Sequence, residues 1–192
     1  QEDLAKKLAN PVSDLVSVPF QFNWENKVGP TNDGLRTVIN IQPVVPFSLT
    51  EKVNLIARWI LPYVSQPENL GSSSGFGDVT FSSFFSPSRS SSFTWGIGPV
   101  LVLPMTTDPT LGTGKWLAGP TAVMLKMQGP WVLGLLANHV WSFANASTAQ
   151  RSDVSQSFFQ PFASYVAGKG VTYTVQTETT VNWKADGSDK WT

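Results

Sequence analysis

The stretch 170–184, GVTYTVQTETTVNWK, constrains the chain more than any other. Val171, Tyr173, Val175, Val181 and Trp183 fall on one face, and Thr172, Thr174, Gln176, Glu178, Thr180, Asn182 and Lys184 on the other. An apolar and a polar face at period 2 are what a half-buried β-strand requires. The run is long for a soluble strand, usually about 5–6 residues. It suits a tilted strand crossing a bilayer, which takes about 9–11. Tyr173 and Trp183 stand near the two ends of the apolar face, where outer-membrane barrels carry their aromatic girdles.

The device repeats along the chain. Strands are predicted over 14–26, 35–49, 53–64, 77–85, 93–103, 116–127, 130–143, 153–166 and 170–184, nine in all. In 14–26, Val16, Val18, Phe20, Phe22 and Trp24 oppose Ser17, Gln21, Asn23 and Glu25. The strands over 116–127 and 130–143 are apolar on both sides, so their faces stay open. Only 14% of residues are charged, against roughly 25% in soluble domains, and aromatics reach 12% with eight Trp. No run approaches the roughly 20 apolar residues of a membrane helix. The chain is therefore apolar in stripes, as a barrel wall between lipid and water would be. Thirteen basic and thirteen acidic residues exclude the basic excess of a nucleic-acid-binding surface. With no cysteine there is neither disulfide framework nor thiol chemistry.

The connections over 27–34, 65–76, 104–115 and 144–152 are long, and those between them mostly short. This alternation fits a barrel with long extracellular loops, short periplasmic turns and a periplasmic N-terminus. Pro19, Pro43, Pro46, Pro62, Pro99, Pro104, Pro120 and Pro161 fall inside the strands. Proline cannot donate to a ladder, so bulges or interrupted ladders are expected there. Residues 1–12 contain a short helix over 3–10, stopped by Pro11, expected as a periplasmic segment or a plug. Residues 13–192 form the barrel domain. Gln1 in place of Met suggests a processed start. An odd strand count, against the even number usual in bacterial barrels, suggests that the C-terminal strands lie beyond this chain.

The segments NPVSDLVSVPFQFNW (10–24), NIQPVVPFSL (40–49), GFGDVTFSSFFSP (75–87) and, above all, the block over 96–143 resemble a family of bacterial outer-membrane proteins. It is the family of the MetA-pathway of phenol degradation, whose members carry transporter or neuromedin U labels. The resemblance implies an antiparallel up-and-down barrel of about a dozen strands, of which about ten are visible here. It implies uptake of aromatic or other small hydrophobic compounds, and no agreed catalytic residues.

Three motifs have bland readings. Gly71-Ser72-Ser73-Ser74-Gly75 matches G-x-S-x-G, but the nucleophile elbow needs a helix next, and a strand follows; a flexible loop fits better. Gly112-Thr113-Gly114-Lys115 lacks the first glycine and the Ser/Thr of a phosphate loop. Asp108, Thr110 and Lys115 in that loop are instead expected to fold inward and constrict a pore. His139, the single histidine, reads as an interfacial residue packed beside Trp141. No catalytic, metal or cofactor site is expected. The candidate lumen residues are Arg36, Asn40, Gln42, Arg58, Asp78, Thr80, Gln156, Gln160, Gln176 and Glu178. Charges are costly towards lipid and tolerated inside. Arg36, Arg58, Asp78, Glu178 and Lys184 should therefore pair with each other or touch a solute. The function expected is passive uptake of a small apolar or aromatic solute, with lipid or lipopolysaccharide around the wall. A plugged, non-transporting barrel and a soluble lipocalin-like container are the alternatives. The oligomeric state stays open.

Overall fold

The structure, a computed structural model, describes residues 15–28, 34–67, 72–88, 92–146, 151–168 and 171–191. The helix expected over 3–10 lies outside them.

The described chain is all-β and antiparallel. Its strands are β1 Phe20–Val28, β2 Gly34–Ile41, β3 Val44–Ser48, β4 Val53–Ser65, β5 Ser74–Phe76, β6 Val79–Pro87, β7 Phe93–Leu103, β8 Lys115–Gln128, β9 Trp131–Asn145, β10 Ser155–Gly168, β11 Val171–Gln176 and β12 Thr179–Asn182. They form one sheet in the order β1-β2-β4-β6-β7-β8-β9-β10-β11, with β3 and β5 on β4, and β12 on β10. Sequence neighbours are sheet neighbours, the up-and-down order expected.

Twelve segments arise from nine long strands because three are interrupted. β2 and β3 are one strand broken at Gln42–Pro43, β5 and β6 one broken at Gly77–Asp78, and β11 and β12 one broken at Thr177–Glu178. Proline accounts for each break. Pro43 supplies no donor at the first. The second faces Pro62, whose carbonyl accepts from Gly77 N at 2.9 Å, and the third faces Pro161, whose carbonyl accepts from Thr177 N at 3.2 Å. A proline leaves its partner strand without a donor at that rung, and the partner departs from the ladder there. Pro99 and Pro120 stand directly opposite one another on β7 and β8.

The sheet curls. Gln21 of β1 and Gln176 of β11, from its two ends, line one cavity of about 470 Å³ with Arg58 of β4 between them. Val44, Ile56, Phe84, Val123, Leu125, Val132 and Leu136 pack together across the concave side, drawn from β3 to β9. Among the described residues β1 and β11 end the sheet order, so the described part is a trough, half of a barrel.

The two faces are unlike. Tyr173 and Val175 are 66% and 75% exposed on the convex side, whereas Phe84 and Val132 on the concave side are 0% exposed. Phe22, Trp95, Ile97, Trp131, Leu133, Trp141 and Phe143 join the convex set. Register resolves the two strands whose faces the sequence leaves open: Thr121, Val123, Leu125, Val132, Leu136 and Val140 are buried, while Met124, Trp131, Leu133 and Trp141 are exposed. Alternation is invisible there because the concave side is apolar too. Trp131 and Trp141 are ten residues apart on β9, about 33 Å along a strand at ~3.3 Å per residue. At the ~40° tilt of membrane barrels this is about 25 Å of height, the thickness of their apolar band. Trp131 packs on Tyr165 at 5.0 Å between ring centroids.

Gly98 and Gly119 permit the closest strand approach. A Cβ on Gly98 would overlap the Ser83 carbonyl oxygen, and one on Gly119 the His139 carbonyl oxygen. Gly98→Ala and Gly119→Ala should each destabilise the sheet by about 1–3 kcal/mol, as overpacking does. Urea midpoints of the refolded variants, followed by tryptophan fluorescence, measure this.

Candidate functional site

Polar side chains gather halfway along the concave face. Arg58 lies opposite Val44 of β3 and Ser82 of β6. Its Nη2 donates to Gln42 Oε1 at 2.7 Å. Gln42 Nε2 donates to Gln21 Oε1 at 2.7 Å, and Gln21 Nε2 to Asn23 Oδ1 at 3.0 Å. On the far wall Glu178 Oε1 accepts from Gln160 Nε2 and from Gln176 Nε2, each at 2.9 Å. Asn40, Gln42, Arg58, Thr80, Gln160 and Glu178 line one cavity of about 190 Å³. Seven of the ten candidates, Gln176 included through its bond to Glu178, are thus brought together.

The other three stand elsewhere. Arg36 Nη1 meets Glu25 Oε2 at 3.3 Å across the β1–β2 rung; both are partly exposed, and such pairs contribute little. Gln156 sits on β10 between Val140 and Asn182. Asp78 holds a loop. The expected pairing of Arg36, Arg58, Asp78, Glu178 and Lys184 with each other does not form: the described ion pairs are Arg36–Glu25 and Lys115–Asp153. The amides of Gln42, Gln160 and Gln176 take the role expected of opposite charges.

The loop between β7 and β8 folds inward. Its 3₁₀ turn, Pro109–Leu111, is capped by Asp108, whose Oδ1 accepts from Thr110 N at 2.8 Å and Thr110 Oγ1 at 2.6 Å. These bonds hold the Asp108 carboxyl below its ordinary range. Leu111 is buried against Val38 of β2 and Val64 of β4, two residues of the concave face. Asp78 Oδ2 accepts from Thr113 N at 2.6 Å and Thr113 Oγ1 at 2.7 Å, so the break at Gly77–Asp78 anchors the loop. Lys115 Nζ, buried, meets Asp153 Oδ1 at 2.7 Å, and Arg151 donates to the Pro109 carbonyl at 2.9 Å. Asp108, Thr110 and Lys115 are the residues the sequence points to in this loop; Leu111, the residue that seats it, carries no signal beyond a lone leucine in a polar loop.

His139 lies on the convex face, 4.2 Å from Trp141 between ring centroids. Its Nδ1 is 2.7 Å from Ser157 Oγ, which also accepts from Trp183 Nε1 at 2.9 Å. Ser142, on the other side of the strand, accepts from Val154 N at 2.9 Å. Among the described residues no carboxylate orients the imidazole, as a Ser-His triad requires. The cluster ties the aromatic row together.

A family profile described as "Putative MetA-pathway of phenol degradation" matches residues 12–191. The chain belongs to this family. The chain also resembles the crystal structure of an outer membrane channel from Pseudomonas putida F1. The TM-score is 0.63 at 21% identity, over 87% of this chain and 69% of that one, a likeness of fold. No curated protein matches the chain significantly.

Two outcomes follow from the loop. Leu111→Ala should cost about 2–4 kcal/mol, the range for buried leucines, and raise the single-channel conductance by unseating the turn. The Asp153 carboxyl lies below its ordinary value, chiefly through the hydrogen bond from Lys115 and then its charge. A depressed carboxyl stabilises above its unfolded pKa and loses that contribution as pH falls through the lower folded one. The Lys115–Asp153 tie should therefore hold at neutral pH and release only as pH falls below the ordinary Asp range of about 4. Conductance titrated downward from pH 7 should rise more in the parent than in Asp153→Asn.

Proposed function

We propose that the protein is an outer-membrane barrel giving passive passage to small hydrophobic or aromatic solutes. The observation that carries this reading is the pairing of faces. The convex side presents Phe22, Trp95, Ile97, Trp131, Tyr173 and Val175 outward, while Arg58, Gln42 and Glu178 line a cavity on the concave side. A soluble container would reverse the two, since exposed apolar area of this extent is unfavourable in water. Family membership and the shared fold with an outer membrane channel support the same reading. The concave side is amphipathic: Ile56, Phe84, Leu125 and Val132 fill its apolar stretch, and the Arg58–Glu178 region is polar. A passage of this character favours solutes with an apolar body over sugars.

The inward loop and the packed stretch around Phe84 favour a second reading, a plugged barrel that does not conduct. Liposome swelling separates the two. The protein reconstituted at neutral pH should admit small aromatic alcohols and acids faster than protein-free liposomes do, and faster than it admits sugars of the same mass. Equal rates with and without protein would favour the plug.

A further inference from the structure

We propose that Arg58 binds the anionic head of an amphiphilic solute, a carboxylate carried on an aromatic ring or a short alkyl chain. The proposal rests on the passage reading above and names the solute class that the passage selects.

A guanidinium offers five N–H donors in a planar fork. Among the described residues, Arg58 uses Nη2 on one neutral acceptor, Gln42 Oε1, at 2.7 Å. Gln42 is itself fixed: it is buried, and its amide nitrogen is engaged by Gln21 at 2.7 Å. The Gln42 oxygen is therefore turned to Arg58, and the fork is held at a set angle. Among the described residues no carboxylate comes within ion-pair distance of Arg58, since the described pairs are Arg36–Glu25 and Lys115–Asp153. A positioned arginine with spare donors facing a cavity matches a carboxylate, which it can hold through two parallel hydrogen bonds.

The cavity supplies the rest of the ligand's environment. Val44, Leu136 and Phe162 share the 470 Å³ space with Arg58, and all three belong to or pack on the buried apolar cluster of the concave face. A head at Arg58 therefore leaves room for a ring or alkyl chain against Phe162 and Leu136. Glu178, on the opposite wall of the adjoining 190 Å³ space, already takes two amide donors on one oxygen. Its charge opposes an incoming anion and limits how tightly the site holds it, which suits a site that must release its solute.

These opposed charges give the proposal a signature. The probes are benzoate and its uncharged counterpart benzyl alcohol, titrated calorimetrically at pH 7 into the protein in lipid nanodiscs. Benzoate should bind the parent more tightly than benzyl alcohol. Arg58→Gln should weaken benzoate at least tenfold and leave benzyl alcohol unchanged. Arg58→Lys, which keeps the charge and loses the fork, should fall between. Glu178→Gln should tighten benzoate severalfold. The proposal is overturned if Arg58→Gln leaves benzoate unchanged or weakens both probes alike, if the parent binds no benzoate, or if Glu178→Gln fails to tighten it. Should Arg58→Gln not insert, the Glu178→Gln result decides alone. Benzoate binding without swelling would contradict the passage reading and leave the arginine site standing; swelling without preference for benzoate would do the reverse.

Discussion

A wall with hydrocarbon on one side must satisfy its own backbone, because lipid offers no partner to a free N–H or C=O. The ladders running from β1 to β11 meet that demand, and the rest of the structure adapts to where they fail. They fail at proline. Three of the nine long strands are interrupted, and each interruption contains a proline or faces one across the sheet. The breaks coincide with polar residues of the concave side. Gln42 stands at the first, Asp78 at the second and Glu178 at the third. An interrupted strand frees its backbone from strict pleating. Gln42 then orients Arg58, Asp78 ties down the loop between β7 and β8, and Glu178 gathers two amides. Residues that weaken the wall thereby shape its interior.

That interior has three levels. An apolar stretch around Phe84, Leu125 and Val132 is packed tightly. The glutamine and arginine band lies beside it. The 3₁₀ turn, with Leu111 against Val38 and Val64, closes over the end carrying the long loops. Burial of Leu111 and the bonds of Asp78, Asp153 and Arg151 all act on the same short loop. Its seat is thus distributed over contacts of different kinds.

Much of this was legible in the sequence. Nine strands, their order, the outward belt of Phe22, Trp24 and Tyr173 and the disturbance by proline all follow from alternation and from the missing proline donor. The faces of β8 and β9 did not, because Val123, Leu125 and Val132 fill a concave side that is itself apolar, so both faces read alike. Seven of ten candidate lumen residues meet around one band, since inward polar residues at the same height on a curled sheet must converge. Their partners were not legible: cross-strand pairing joins residues far apart in the chain, and Gln21, Asn23 and Thr113 carry no charge to mark them. The Ser157–His139 contact on the convex face was hidden for the same reason.

A membrane wall of this kind requires water within the curve and hydrocarbon outside it. The chain has no cysteine, so single nitroxide labels can be placed at residues 171 to 176 in the reconstituted protein. Their collision rates with oxygen and with a water-soluble nickel chelate measure the two environments. Oxygen should dominate at 171, 173 and 175 and the chelate at 172, 174 and 176, with a period of two residues. The opposite phase, or equal access to the chelate at all six positions, would contradict a membrane wall.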